Sequence, residues 1–130
     1  MNDKKLTKLE FDSYISGMVE EAIAYGEGEV VLQESEDGKP VRNKKEQVED
    51  YAHEYIKSGN EPWIDTRDAI EVVFNGFAGA YFQDDEIWRE VAKDSDRNIY
   101  DVIATHANES TKNVIIDRIT DTLKDKYTDQ

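Results

Sequence analysis

The stretch LTKLEFDSYISGMVEEAIAYG, residues 6–26, decides the fold. Thr7 followed by Glu10 has the form of a capping box, in which each side chain accepts from the other residue's backbone amide. Leu6 ahead of the cap and Phe11 at the end of the first turn fit a hydrophobic staple. Phe11, Tyr14, Ile15, Met18, Val19 and Ala22 then recur at three- and four-residue steps, which puts them on one side of a helix. Gly26 can adopt the left-handed conformation that ends a helix and is expected to stop this one.

Downstream the helical period is lost over residues 27–42. Glu29-Val30-Val31-Leu32-Gln33 favours β structure, Asp37-Gly38 is a turn dipeptide and Val41 follows Pro40, so a short β-hairpin or loop is expected. Asn43 with Glu46 repeats the capping-box spacing and opens a helix burying Val48, Tyr51, Ala52, Tyr55 and Ile56, closed by Gly59.

Glu61-Pro62-Trp63-Ile64 reads as a linker with an anchoring tryptophan. From Asp65 or Thr66 an apolar period runs through Ala69, Ile70, Val73, Phe74, Phe77, Ala78 and Tyr81. Asn75, Gly76 and Gly79 interrupt it with poor helix formers, each glycine costing about 1 kcal/mol against alanine. The unbroken apolar side favours one helix over two across residues 66–82. Asp84, Asp85 and Glu86 suit the first turn of a further helix, where acids complement the dipole, with Ile87, Trp88, Val91 and Ala92 facing inward. Ser95 or Asp96 then caps a short helix carrying Ile99, Val102 and Ile103. Asn108 or Ser110 starts the last one, burying Val114, Ile115, Ile119 and Leu123. The expected architecture is all-α with a minor β-hairpin at 27–42: an irregular bundle of five or six helices in a single domain over 1–130, with frayed termini.

Composition bounds the chemistry. The chain has 130 residues, 30 acids against 16 bases and a net charge of −14. That charge argues against direct binding of nucleic acid or anionic lipid, both of which need basic surface. Leu, Ile, Val and Phe make up about 22% of residues, just above the level of roughly 20% that warns of disorder. Seven Tyr and two Trp supply further apolar area, so a folded core is expected. No apolar run is long enough to span a membrane, the charged Met1–Leu9 start shows no secretory signal, and a cytoplasmic location is expected. With no cysteine there is no disulfide, thiolate site or Cys nucleophile.

Motifs for catalysis are lacking. His53-Glu54 is followed by Lys57 where a zinc-binding HExxH helix needs its second histidine. His106 is placed near a helix C-terminus, where the dipole favours a charged imidazole. Asp94-Ser95-Asp96-Arg97-Asn98 opens like a calcium loop, but Ile99 and Thr105 occupy the positions that need Gly and Glu. There is no phosphate-binding glycine loop and no GxSxG elbow. The expectation is no catalytic residue, no cofactor and no metal; a small hydrolase-like enzyme without recognisable motif ranks third among the functional readings.

The pattern of the acids is the remaining clue. Residues 61–96 hold ten acids and three bases, half of the whole excess. Glu46, Asp50 and Glu54 lie four apart, as do Asp117, Asp121 and Asp125. On a helix such steps put carboxylates about 6 Å apart along the axis, a spacing comparable to that of phosphates along a strand. Like charges at this spacing also oppose helix formation by a few tenths of a kcal/mol per pair. The expected function is a non-catalytic acidic binding protein that mimics nucleic acid and inhibits a basic, nucleic-acid-handling partner such as a nuclease. Its contact residues are expected to be Glu46, Glu49, Asp50, Glu54, Asp84, Asp85, Glu86 and Glu90. In composition alone, with no shared motif, the chain is similar to the small acidic cysteine-free helical inhibitors of nucleases and restriction systems made by phages and mobile elements. The alternative is a homo-oligomeric structural or regulatory module, a homodimer completing its core through Trp63, Phe77, Tyr81, Phe82 and Trp88.

Overall fold

The computed structural model describes residues 7–58, 65–77, 89, 93 and 98–127. Among the described residues there are four helices and no strand: α1 (Lys8–Asp37), α2 (Lys44–Ser58), α3 (Thr66–Phe74) and α4 (Ile99–Lys126). The all-α class holds, but the described residues form four helices rather than the expected five or six. The helix expected from Asp84 onward, Leu6 of the staple, Gly59, Trp63, Tyr81, Phe82 and Trp88 lie outside the described residues.

The capping box of α1 forms as expected. The Glu10 amide donates to Thr7 Oγ1 at 3.1 Å and the Thr7 amide to Glu10 Oε1 at 3.2 Å. Phe11, Ile15, Val19 and Ala22 are buried, whereas Tyr14 stays at the surface.

The hairpin expected at 27–42 does not form, because α1 runs on to Asp37. Gly26 does not stop the helix; it sits inside it. An added Cβ there would lie 2.6 Å from the Val48 carbonyl oxygen and 3.2 Å from Val48 Cγ1, so the glycine is a point of close approach for α2. Val30 lies one turn beyond Gly26 and is fully buried. It carries the core period through the β-favouring run, and tertiary burial outweighs local propensity. The helix ends where Gly38 takes φ +68 and its amide returns to the Glu34 carbonyl at 2.8 Å, a left-handed cap. Only residues 38–43 connect α1 to α2. Asn43 has φ +55 rather than the extended backbone of an N-cap, so the second capping box is absent; its carbonyl accepts from the Gln47 amide.

The single helix favoured across residues 66–82 is also corrected. Asp65 caps α3 through an Oδ1 that accepts from the Asp68 amide at 2.8 Å. Asn75 ends it, with Gly76 at φ +66. The Phe77 amide reaches the Val72 carbonyl at 3.1 Å and the Gly76 amide the Val73 carbonyl at 3.4 Å, the paired bonds of a Schellman motif. A positive φ that glycine adopts freely here overrides an apolar side that looks continuous in sequence.

The two helices expected after residue 95 are one. Asn98 opens α4, its Oδ1 accepting from the Tyr100 amide at 2.8 Å. Asn108 starts no helix: its side chain donates to the Ala104 carbonyl inside α4. Ser110 is buried within the same helix, and the neighbouring Thr111 donates to the Ala107 carbonyl.

The chain divides into two compact units. Unit 1 comprises Met1–Ile15 and Pro62–Val114; its core is Phe11 and Ile15 of α1, Ala69, Val72 and Val73 of α3, and Val102, Ile103 and Ala107 of α4. Phe11 and Phe77 meet there with ring centroids 5.8 Å apart. Unit 2 comprises Ser16–Glu61 and Ile115–Gln130; it buries Val19, Ala22, Ile23 and Val30 of α1, Val48, Ala52 and Ile56 of α2, and Ile115, Ile119 and Leu123 of α4. Each fully buried aliphatic side chain contributes roughly 1.5–3 kcal/mol. Among the described residues no buried side-chain nitrogen or oxygen lacks a hydrogen-bond partner.

Candidate acidic binding surface

The acidic row of α2 follows from its helical phase. Val48, Ala52 and Ile56 repeat every four residues and are fully buried. Glu46, Asp50 and Glu54 keep the same step on another side of the helix and are exposed. Glu49, one residue beyond Val48, is half-buried at the edge of the core. Four of the eight expected contact residues therefore lie on α2, three of them in one solvent-facing row. Asp84, Asp85, Glu86 and Glu90 lie outside the described residues.

Beside this row is a link between α2 and α4. His53 Nε2 is 3.1 Å from Thr120 Oγ1, and the Thr120 hydroxyl donates to the Ile116 carbonyl at 3.2 Å. The pair ties the middle of α2 to α4. His53 is half-buried. His106 does not sit at a helix end, since α4 continues for twenty further residues. On α4, Asp117, Asp121 and Asp125 are all exposed, but Arg118, Lys124 and Lys126 are interleaved with them. Between Glu46 and Glu54 the α2 row has no lysine or arginine, while Lys45 precedes it and Lys57 follows one turn beyond its end.

A cluster of charges anchors the end of α4 to α1. Lys126 Nζ lies 2.6 Å from Glu27 Oε2, and the Tyr127 hydroxyl donates to the same oxygen at 2.8 Å. Burial works to raise the Glu27 pKa. The hydrogen bonds from Lys126 and Tyr127, with the charges of Lys126 and Lys44, outweigh it and hold the carboxyl below its ordinary range. Tyr127 is pushed up to about 12 by burial, by its bond to Glu27 and by that carboxylate's charge. Nearby, a cavity of about 490 Å³ is lined by both signs of charge, Glu34 and Glu46 together with Lys44 and Lys45. Glu34 is already engaged there, accepting from the Val41 amide at 3.0 Å.

In unit 1 Asp68 is raised by burial and by the charge of Asp65, with Glu10 and Glu71 adding to it and Arg67 opposing. No group of three or more His, Asp or Glu among the described residues is arranged to hold a metal ion, and no helix among them is long and apolar enough to cross a membrane. Of the aromatic residues expected to complete a homodimer core, Phe77 alone is described; it is half-buried against Phe11.

The chain matches no protein-family model, no curated protein and no solved structure.

Proposed function

We propose that the chain is a non-catalytic acidic binding protein. It offers the α2 carboxylate row, with Glu49, Asp84, Asp85, Glu86 and Glu90, to the basic groove of a nucleic-acid-handling protein and inhibits it by occupying that groove. The supporting observation is the division of α2: one side is committed to the core through Val48, Ala52 and Ile56, while Glu46, Asp50 and Glu54 stand in solvent with no core role. Like charges at four-residue steps work against the helix, so the row is explained better by a partner than by stability. Solubility would reward acids anywhere on the surface and requires no row. Attraction between a −14 chain and a basic groove also speeds encounter.

The test is capture of partners from lysate on the immobilised chain at low salt, followed by elution with rising salt. A basic nuclease or polymerase eluting in the gradient is expected. Lysine at Glu46, Glu49, Asp50 and Glu54 should abolish that capture and leave helicity unchanged. Capture that survives the reversal, with little dependence on salt, overturns the reading.

A further inference from the structure

We propose that the solvent side of α1 around Gly28 is a docking site for a basic amphipathic helix of the partner. This deepens the reading above and rests on it, but it uses a different surface from the α2 row.

Glycine use on α1 is the starting point. Gly26 has a reason within the chain, because the backbone of α2 fills the space that a Cβ would need. Gly28 lies in the same helix and nothing stands within 4 Å of where its Cβ would be. On a helix its surface neighbours are the residues three and four away, Ala24, Tyr25, Val31 and Leu32. Tyr25 is 42%, Val31 54% and Leu32 57% exposed, and these are the large apolar side chains of unit 2 left at its described surface. All three border the one glycine. The arrangement is a hole with a backbone floor and an apolar rim, the shape that receives a single side chain of a neighbouring helix in knobs-into-holes packing. Tyr25 is steadied by Tyr55 of α2, with ring centroids 4.9 Å apart, so one side of the rim is fixed in advance.

Charge selects the occupant. Between Leu9 and Asp37 the helix holds nine acidic residues and no basic one, and Glu20, Glu21 and Glu36 are exposed. A second copy would bring the same nine acids against these, which disfavours self-pairing. A helix with leucine-like knobs flanked by lysine or arginine satisfies both the hole and the acids.

The experiment uses the full chain and two labelled peptides followed by fluorescence anisotropy. One peptide carries leucine and lysine in helical amphipathic order; the other has serine at every leucine and keeps the charge. The first should bind more tightly than the second. The Val31→Ser/Leu32→Ser double variant and Gly28→Gln, which fills the hole with a good helix former, should each weaken the first peptide by about tenfold. The second peptide should bind all three proteins alike, and the thermal midpoint should not fall. Equal affinity of the leucine peptide for all three proteins, or no preference for it over the serine peptide, overturns the α1 site and leaves the acidic-binder reading standing. Absence of salt-dependent binding by both peptides overturns the two together. A dimer in sedimentation velocity that the double variant dissolves assigns the hole to a second copy and also overturns the proposal.

Discussion

Replacing each of three glycines of α1 by alanine tests how the helix is packed. Gly17, Gly26 and Gly28 all lie inside the same α-helix, and in each case alanine improves helix propensity by up to about 1 kcal/mol. The environments differ. A Cβ meets nothing within 4 Å at Gly17 or Gly28, so the propensity gain should appear almost in full, roughly 0.5–1 kcal/mol of added stability. At Gly26 the new atom would lie 2.6 Å from the Val48 carbonyl oxygen, 3.2 Å from Val48 Cγ1 and 3.4 Å from the Ala52 amide nitrogen. Two of those atoms are backbone of α2, which can yield only if the helix shifts. Overpacking of this kind costs about 1–3 kcal/mol. After subtracting a propensity gain of about 1 kcal/mol, Gly26→Ala should lower stability by up to about 2 kcal/mol, or by up to roughly 8 °C in the thermal midpoint. Urea unfolding followed by circular dichroism reads the difference, and an unchanged m-value assigns it to the native state rather than to unfolded compactness. If Gly26→Ala is as stabilising as the other two, α2 does not pack on α1 at this glycine.

Two pH effects follow from the charge clusters. The Tyr127 phenol is held at about 12 against an ordinary 10.0, so the stability it contributes is complete below pH 10 and is lost as pH rises towards 12; Tyr127→Phe should flatten that alkaline decline in a series of denaturation curves. Its partner Glu27 is held below its ordinary 4.5, so its contribution is present above that value and disappears as pH falls through the lowered one. A Glu27→Gln variant should lose stability at neutral pH and converge with the parent in acid. Asp68 is shifted the other way: its protonated form is favoured on folding, and the benefit is lost as pH rises through the raised value. Asp68→Asn should therefore be more stable than the parent near neutrality and indistinguishable from it in strong acid.

Much of unit 2 could be read directly from residue order. The Val48, Ala52, Ile56 stripe and the acids set off from it depend on phase within one helix, and phase is local information. The same holds for the Thr7–Glu10 cap, which links residues three apart. Other features have a different origin. Val30 is β-favouring in isolation, and its burial depends on residues of other helices. The left-handed φ of Asn43 looks from sequence like an N-cap, because the same residue type serves both roles. Asn108 and Ser110 were equally ambiguous, since short polar side chains can cap a helix or bond back to a carbonyl within it. The hole around Gly28 was hidden for another reason: Val31 and Leu32 of its rim fall in the stretch expected to be a hairpin, where adjacent side chains face opposite ways.

Residue order alone was enough for a mainly helical class, the cap at Thr7, a helix start at Asp65 or Thr66, and the apolar stripe and acidic row of α2. Tertiary structure decided what each glycine means. Gly26 is passed through because α2 rests on it, Gly76 ends α3 because its φ is positive, and Gly28 stands open with apolar neighbours around it. The physical reason is that glycine is defined by a missing atom. Whether its absence admits a turn, a packed helix or an incoming partner depends on what occupies the vacant space, and neighbours along the chain do not specify that.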